Sequence, residues 1–177
     1  MLFIADYFSL NQDRVAPHAG PGHWNDPDTL LLGNYGLSYD QSKAQLAMWA
    51  VLAAPFLLST DLRYVKPEIK DLLLNREIIA VDQDAMGIQG RLVNKASGIE
   101  IWTRPILPTV DIYTSYAVAF VSRRTDGAPF GLDVKLSDIK LNNPNGYEVQ
   151  DLFNKTKSKY NFKQSDSFEE RINPTGN

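Results

Sequence analysis

Hydrophobic and polar positions in the first 86 residues alternate between helical and strand-like patterns. Apolar residues at helical spacing predict a short helix near the start of the chain. Ser38 and Gln41 form a capping-box pattern in front of a long apolar run, which predicts a deeply buried second helix. Short apolar runs suit strands that are covered on both faces, so the order of elements predicts an α/β fold. The predicted helices lie at about 1–19, 39–54, 67–74 and 77–81, and the strands at 30–32 and 56–59.

The pattern changes after Gly87, where apolar and polar residues begin to alternate one by one. Such alternation predicts strands with one buried face, and turn signals separate them, so this half is expected to be an antiparallel β region. We therefore predict a boundary near 84–90, with one domain over residues 1–86 and a second over 87–177. The predicted strands lie at 90–93, 98–104, 116–122, 132–136 and 147–152.

Composition narrows the function classes. The chain has 177 residues, a net charge of -3 and no cysteine, so disulfides, zinc–thiolate sites and thiol nucleophiles are excluded within it. No basic cluster indicates a nucleic-acid partner. The longest apolar run, Leu46–Leu58, has Pro55 inside it and is shorter than the roughly 20 residues of a membrane span. No pattern indicates a cofactor, and no membrane association is expected.

The densest candidate chemistry lies between glycine and proline breakers at residues 20–28. Asp26 and Asp28 would share one face of an extended strand, about 6.6 Å apart along the backbone. Side chains could close that gap to the roughly 5–5.5 Å between the two carboxyls of retaining glycosidases. The alternative is that one carboxylate caps a turn and only the other faces a pocket, which Pro27 favours because proline marks a strand end.

Trp24 in the same stretch has two interpretations. Its ring could stack on a sugar, or it could be an interior residue, and the interior is the better expectation from the pattern alone. His23 could polarise a substrate, but a metal site is not predicted, because the one other histidine, His18, gives no ligand spacing. Further along, Asn154 begins an Asn-Lys-Thr triplet, a candidate glycosylation site if the protein enters the secretory pathway.

Several ordered sequence blocks resemble the α-galactosidase and α-N-acetylgalactosaminidase family, glycoside hydrolase family 27. The resemblance is dense from about residue 8 to 104 and thinner beyond. The matching blocks are 20–28, 31–38, 53–63, 83–84, 87–90, 104–105 and 172–176.

The resemblance implies a fold and an activity. Residues 1–86 would form the last strands and helices of a (β/α)8 barrel, followed by an antiparallel β-sandwich over 87–177. Members of the family are retaining exo-glycosidases that release terminal α-linked galactose or N-acetylgalactosamine by means of two aspartates. The family nucleophile follows a Tyr-Cys pair, which this cysteine-free chain lacks, and the acid/base lies on the sixth barrel strand. Both catalytic aspartates are therefore expected upstream, so the chain would contain no catalytic residue and be inactive alone.

The resemblance also implies which residues touch substrate. Asp28 matches a position that lines the galactose pocket at the carboxyl end of the seventh strand, where barrel active sites lie. Trp24, Asn25 and Asp26 match neighbours that shape the same wall. Thr29 stands where methionine is common, which alters the pocket floor.

Other positions depart from the family pattern. Asp82, Ala85 and Met86 differ from the usual Asn-Gln-Asp-Pro-Leu run, which we interpret as a packing variation. The 87–91 run is slightly closer to the N-acetylgalactosaminidase branch. The sugar preference stays open, since the residues that choose between the two sugars lie upstream.

The resemblance further implies an α-galactoside or α-N-acetylgalactosamine glycoconjugate as substrate and a lysosomal or secreted location, and it leaves a homodimer open. A non-catalytic carbohydrate-binding or interaction fragment is the alternative function. A third hypothesis is a remnant with no stable fold, because two strands of a barrel leave sheet edges unpaired.

Overall fold

The computed structural model of the chain describes residues 1–154 and 160–174. Helices dominate the first half and strands the second, as predicted. The helices are α1 (Leu2–Val15), a 3-10 turn (Ala16–His18), α2 (Tyr39–Val51), α3 (Pro67–Leu73) and α4 (Arg76–Asp82). The strands are β1 (Arg91–Ala96), β2 (Ile99–Val110), β3 (Tyr113–Ser122), β4 (Phe130–Lys135), β5 (Tyr147–Val149), β6 (Tyr160–Phe162) and β7 (Ser167–Ile172), with a 3-10 turn at Leu136–Ile139.

Helix α2 begins as its sequence predicts. The Ser38 hydroxyl accepts a hydrogen bond from the Gln41 backbone N–H at 3.1 Å, and the Gln41 side chain accepts one from the Ser38 N–H at 2.8 Å. The helix ends at Val51, three residues before the predicted end. Ala53 takes a left-handed conformation with φ 55°, which breaks the helical hydrogen bonds before Pro55 is reached.

The two apolar runs that flank α2 in sequence pair in parallel. The Leu30 N–H donates to the Leu57 carbonyl at 2.7 Å, and the Ser59 N–H donates to the Leu30 carbonyl at 3.1 Å. The pairing is a single bridge rather than a ladder. Two parallel segments connected through a helix form the β-α-β unit of α/β proteins, so the predicted order of elements is present. The runs 30–32 and 56–59 do not form full strands, and Leu57 and Leu58 are exposed rather than covered on both faces.

The sheet β1-β2-β3 is antiparallel, and the first six residues of β2 are buried on both faces of the sheet. Odd-numbered β2 residues such as Ile101 pack with β4 and β7, whereas Trp102 packs with the helices. β3 follows the same rule, because Phe120 opposes Ile101 and Ala119 opposes Trp102 in the register. The sheet is thus the middle layer between helices and a second strand pair.

The outer strands pair β4 with β7 and β5 with β6, both antiparallel. β6 and β7 were not predicted. The expected fold class, an α/β part followed by an antiparallel β-sandwich, is confirmed. One core cluster contains residues from both sides of position 86, and the boundary between 1–86 and 87–177 stays a prediction.

In the part of the chain that the structure describes, no helix is long and apolar enough to cross a membrane.

Candidate functional site

A tight turn at Gly20–His23 opens the candidate site. The two end residues exchange backbone hydrogen bonds, each at 3.0 Å. Pro21 and Gly22, with φ 88° at Gly22, are the residues that a type II turn requires at its two central positions. The His23 side chain is exposed at the end of this turn, and Trp24 follows it directly.

Trp24 lies beside Gly87, at the start of the β half. A Cβ built on Gly87 would lie 2.9 Å from Cδ of Pro21 and 3.3 Å from Cη2 of Trp24, and Gly87 has φ 62°. Only glycine permits this approach. The Trp24 side chain is 39% exposed, so the expectation that it is an interior residue is wrong. Its exposed ring is available to contact a ligand.

Asn25 joins this segment to the rest of the protein. Its Nδ2 donates to the Val15 carbonyl at 2.8 Å and to Oε1 of Gln89 at 2.7 Å. Gln89 is buried and Asn25 is half-buried. The Asn25 amide group therefore holds residues 24–29, the wall of the candidate site, against the end of α1 and against Gln89 at the start of the β half.

Asp26 and Asp28 do not form a same-face pair on a strand. Oδ1 of Asp26 accepts the Asp28 backbone N–H at 2.8 Å, which closes an Asx turn around the buried Pro27. Asp28 has a left-handed φ of 75°, so the backbone here is not extended. The prediction of a same-face dyad is wrong, and the part of the alternative in which one carboxylate caps a turn is confirmed, whereas a pocket in front of the other carboxylate stays a prediction.

The Asp28 carboxylate is exposed and partly oriented. Its Oδ1 accepts the Thr29 N–H at 2.6 Å, while Oδ2 accepts no hydrogen bond from any described residue. Thr29 itself is half-buried and leads directly into Leu30 of the parallel bridge. A carboxylate with one tied and one open oxygen can accept a hydrogen bond from a ligand hydroxyl.

Sequence reasoning missed two side chains that hold this segment. Gln45 and Trp49 lie one turn apart on α2, and each is 1% exposed. The Trp49 indole Nε1 donates to the Asp28 carbonyl at 2.7 Å, and the Gln45 amide bonds Thr29 and Leu31. Gln45 carried a detectable signal, because a carboxamide beside a fully apolar helical face must find a buried partner.

A second polar group, the junction cluster of Asp82, Gln83 and Arg104, lies between α4 and the sheet. Asp82 is 8% exposed; Oδ2 accepts from Nε2 of Gln83 at 2.6 Å, and Oδ1 has no partner among the described residues. Burial raises the pKa of Asp82 to about 6, while the Gln83 hydrogen bond and the Arg104 charge act in the opposite direction. This carboxyl therefore takes up a proton far more readily than a solvated one.

Arg104 is fully buried in β2. Its Nη1 donates to the Ala50 carbonyl at 2.6 Å and to the Asp82 carbonyl at 3.2 Å, whereas Nε and Nη2 find no partner in the described part of the chain. Burial lowers the pKa of Arg104, opposed by the charges of Asp82 and Asp84. The guanidinium connects the end of α2, the end of α4 and β2.

Two concavities of about 300 and 280 Å³ lie outside the candidate site, the first beside Glu100 and Arg123 and the second beside Tyr147 and Phe162. Neither is lined by Trp24 or Asp28. Within residues 1–154 and 160–174, no group of three His, Asp or Glu side chains could hold a metal ion.

Two family models match the chain, one after the other. The model described as alpha galactosidase A matches residues 1–84, and the model described as the alpha galactosidase A C-terminal beta sandwich domain matches residues 87–176.

Known proteins agree with these matches. The chain is 47% identical over 177 residues to an α-N-acetylgalactosaminidase of Gallus gallus, covering 99% of this chain and 42% of that protein. It is 37% identical to human α-galactosidase A, covering 98% and 40% respectively. The crystal structure of α-galactosidase I from Mortierella vinacea superposes with a TM-score of 0.77 at 25% identity, covering 92% and 40%.

The chain belongs to the α-galactosidase and α-N-acetylgalactosaminidase family, glycoside hydrolase family 27. It spans about two fifths of the length of the curated relatives it matches.

Proposed function

We propose that this chain is the C-terminal part of a retaining exo-glycosidase that releases terminal α-linked galactose or N-acetylgalactosamine. Residues 1–86 would contribute the last strands and helices of a (β/α)8 barrel, and residues 87–177 a second, β-sandwich domain. The single parallel bridge at Leu30 supports this proposal, since neighbouring barrel strands run parallel.

The wall at residues 24–29 is the proposed sugar contact. Asp28 carries the proposal, because its exposed carboxylate has one oxygen open to accept a sugar hydroxyl. The half-exposed Trp24 ring offers an apolar face to the C–H groups of a sugar. Asp26, between Trp24 and Asp28 in the sequence, and Thr29, directly after Asp28, complete the wall. The substrate would be an α-galactoside or α-N-acetylgalactosamine glycoconjugate.

The chemistry itself belongs to residues that this chain lacks. A retaining glycosidase needs a nucleophilic carboxylate and an acid/base about 5–5.5 Å apart. Asp26 and Asp28 are not a facing pair of this kind, because Asp26 closes an Asx turn onto the Asp28 N–H and the backbone at Asp28 is left-handed. We therefore propose that both catalytic aspartates are outside this chain and that the chain alone does not hydrolyse substrate.

We also propose a lysosomal or secreted location, which rests on the family resemblance. Asn154 would then be a glycosylation site. Its own backbone N–H donates to the Asp151 carboxylate at 3.3 Å, and Lys155 and Thr156 of the triplet lie outside the described residues. A homodimer stays a prediction with no surface assigned to it.

One experiment tests the wall. The purified chain is expected to leave a chromogenic α-galactoside intact but to bind galactose weakly, with a dissociation constant of about a millimolar. Trp24 reports binding through fluorescence, because the other two tryptophans, Trp49 and Trp102, are buried. Asp28→Asn should abolish the response to galactose. Measurable hydrolysis would contradict the proposal that the chain contains no catalytic pair. An emission spectrum that galactose does not change would contradict the proposal that the wall binds sugar.

The alternative is a non-catalytic carbohydrate-binding or interaction fragment, favoured by the same exposed Trp24 ring. The transcript separates the two functions. A coding sequence that continues upstream into a Tyr-Cys-Asp segment supports the glycosidase, and joining that segment to the chain should restore turnover. A start at Met1 supports the carbohydrate-binding fragment.

A further inference from the structure

Helix α2 supplies the hydrogen bonds that a neighbouring strand would otherwise give to the wall. The Gln45 carboxamide donates from Nε2 to the Thr29 carbonyl at 3.3 Å and accepts the Leu31 N–H at Oε1 at 2.8 Å. One side chain thereby pairs with two backbone groups, as the edge of a strand does. Gln45 is 1% exposed, so water does not compete for either bond.

The next turn of α2 holds Asp28 itself. The Trp49 indole donates to the Asp28 carbonyl at 2.7 Å, and Trp49 is as buried as Gln45. Asp28 gains from such a partner, because its φ of 75° is a left-handed conformation that costs more for a residue with a side chain than for glycine, even though Asp and Asn tolerate it best. The buried indole fixes the carbonyl and so keeps the peptide in this strained orientation.

The Asp28 side chain follows from its backbone. Its N–H donates to Asp26 and its Oδ1 accepts from Thr29, so the carboxylate has one orientation once the backbone conformation is set. Rotating the peptide at Asp28 would break these bonds together. Gln45 and Trp49 of α2 therefore determine the direction of the open oxygen, Oδ2.

We propose that Gln45 and Trp49 are positioning residues, which keep the Asp28 carboxylate aimed at a sugar hydroxyl. This inference rests on the proposed role of Asp28 in sugar binding. Neither side chain touches the sugar, since both are buried behind the wall. Their contribution is to hold the left-handed backbone at Asp28 before a ligand arrives, which lowers the entropic cost of binding.

The test uses the full 177-residue chain and two readouts, amide hydrogen exchange at Leu31 and galactose affinity from Trp24 fluorescence. Gln45→Met keeps the size of the side chain and removes both hydrogen bonds. We expect Leu31 exchange to quicken about tenfold and galactose affinity to fall about tenfold, the effect of one lost buried hydrogen bond. Gln45→Glu, which still accepts the Leu31 N–H, should restore most of the exchange protection.

Trp49→Phe removes the indole donor and keeps a ring in the core, so it should weaken galactose binding to a similar degree. Met48→Ala is the matched control. Met48 is fully buried on the same helix but bonds nothing in the wall, so this variant should lose stability yet keep galactose affinity and Leu31 protection.

The outcomes separate the two proposals. Wild-type chain that fails to bind galactose would overturn the proposed function and the positioning role with it. Normal galactose affinity in Gln45→Met and Trp49→Phe would overturn the positioning role alone. A loss of affinity in Met48→Ala equal to that in Gln45→Met would also overturn it, because helix stability would then account for the effect.

Discussion

Asp28 and Asp82 are carboxylates in opposite environments. Asp28 is exposed, and its own backbone groups are hydrogen-bonded to the wall and to Trp49. Asp82 is buried, and one of its oxygens has no partner among the described residues. The buried Trp49 indole holds the Asp28 carbonyl, so the hydrogen bonds at Asp28 fix the direction of an exposed carboxylate. At Asp82 burial exceeds bonding, which raises its pKa to about 6.

The largest expected effect lies in the buried environment. Arg104→Met removes the charged donor to the Ala50 and Asp82 carbonyls, and the Ala50 carbonyl then keeps only its backbone hydrogen bonds. We expect the free energy of unfolding to fall by about 3–4 kcal/mol, measured by urea denaturation at pH 7. Arg104→Lys should lose about half as much. A loss below about 1 kcal/mol for Arg104→Met would mean that the junction cluster does not stabilise the fold.

Asp82 should make stability depend on pH. Its pKa is about 6 in the folded chain against 3.8 without burial, so the folded state binds the extra proton. The stabilisation is complete below the lower pKa and is lost as the pH rises through 6. The Asn side chain of Asp82→Asn does not ionise. The free energy of unfolding of this variant, relative to that of wild type, should therefore rise by about 2 kcal/mol between pH 4.5 and 7.5.

Urea denaturation at both pH values measures this difference. Asp71→Asn, at an exposed helical carboxylate, is the control and should change little between them. An Asp82→Asn advantage that is the same at pH 4.5 and pH 7.5 would contradict the raised pKa.

The smallest effect on stability is expected at the wall. Asp28→Gly relieves the left-handed strain but loses the Oδ1 bond to the Thr29 N–H, so the free energy of unfolding should change by less than about 1 kcal/mol while the fluorescence response to galactose disappears. Asp28→Asn keeps a residue that tolerates this conformation and should leave stability nearly unchanged. A loss above about 2 kcal/mol in Asp28→Gly, with an unchanged response to galactose, would show that Asp28 supports the fold rather than a ligand.

Local chemistry was predictable from the sequence, and distant pairing was not. The Ser38–Gln41 capping box involves residues three apart and is present as predicted. Strands β6 and β7 were missed, because β6 is three residues long and β7 pairs with β4 across more than thirty residues. Three consecutive charged residues at 169–171 also conceal its inward face, because Glu170 alternates with Phe168 and Ile172 on that face.

The candidate site divides in the same way. The sequence identified the polar stretch that holds Asp28, but its spacing rule assumed an extended backbone at Asp26–Asp28. The backbone is instead turned, with an Asx turn at Asp26 and a left-handed φ at Asp28. The spacing of two aspartates two residues apart does not reveal either feature. Gln45 and Trp49 lie within the helix predicted over 39–54, and a helical pattern does not reveal their partners, which lie 14 to 21 residues away in the sequence.

The sheet β1-β2-β3 packs against a different core cluster on each face, which limits which parts of such proteins can be exchanged between relatives. Trp102 and Val121 on one face belong to the helical core, while Ile101 on the other belongs to the outer strands. A transplanted β half would carry a bare aromatic face, and a host lacking matching helices would have nothing to cover it. Natural chimeras of this family should therefore exchange the helices around α2 and the sandwich together, as one inherited unit.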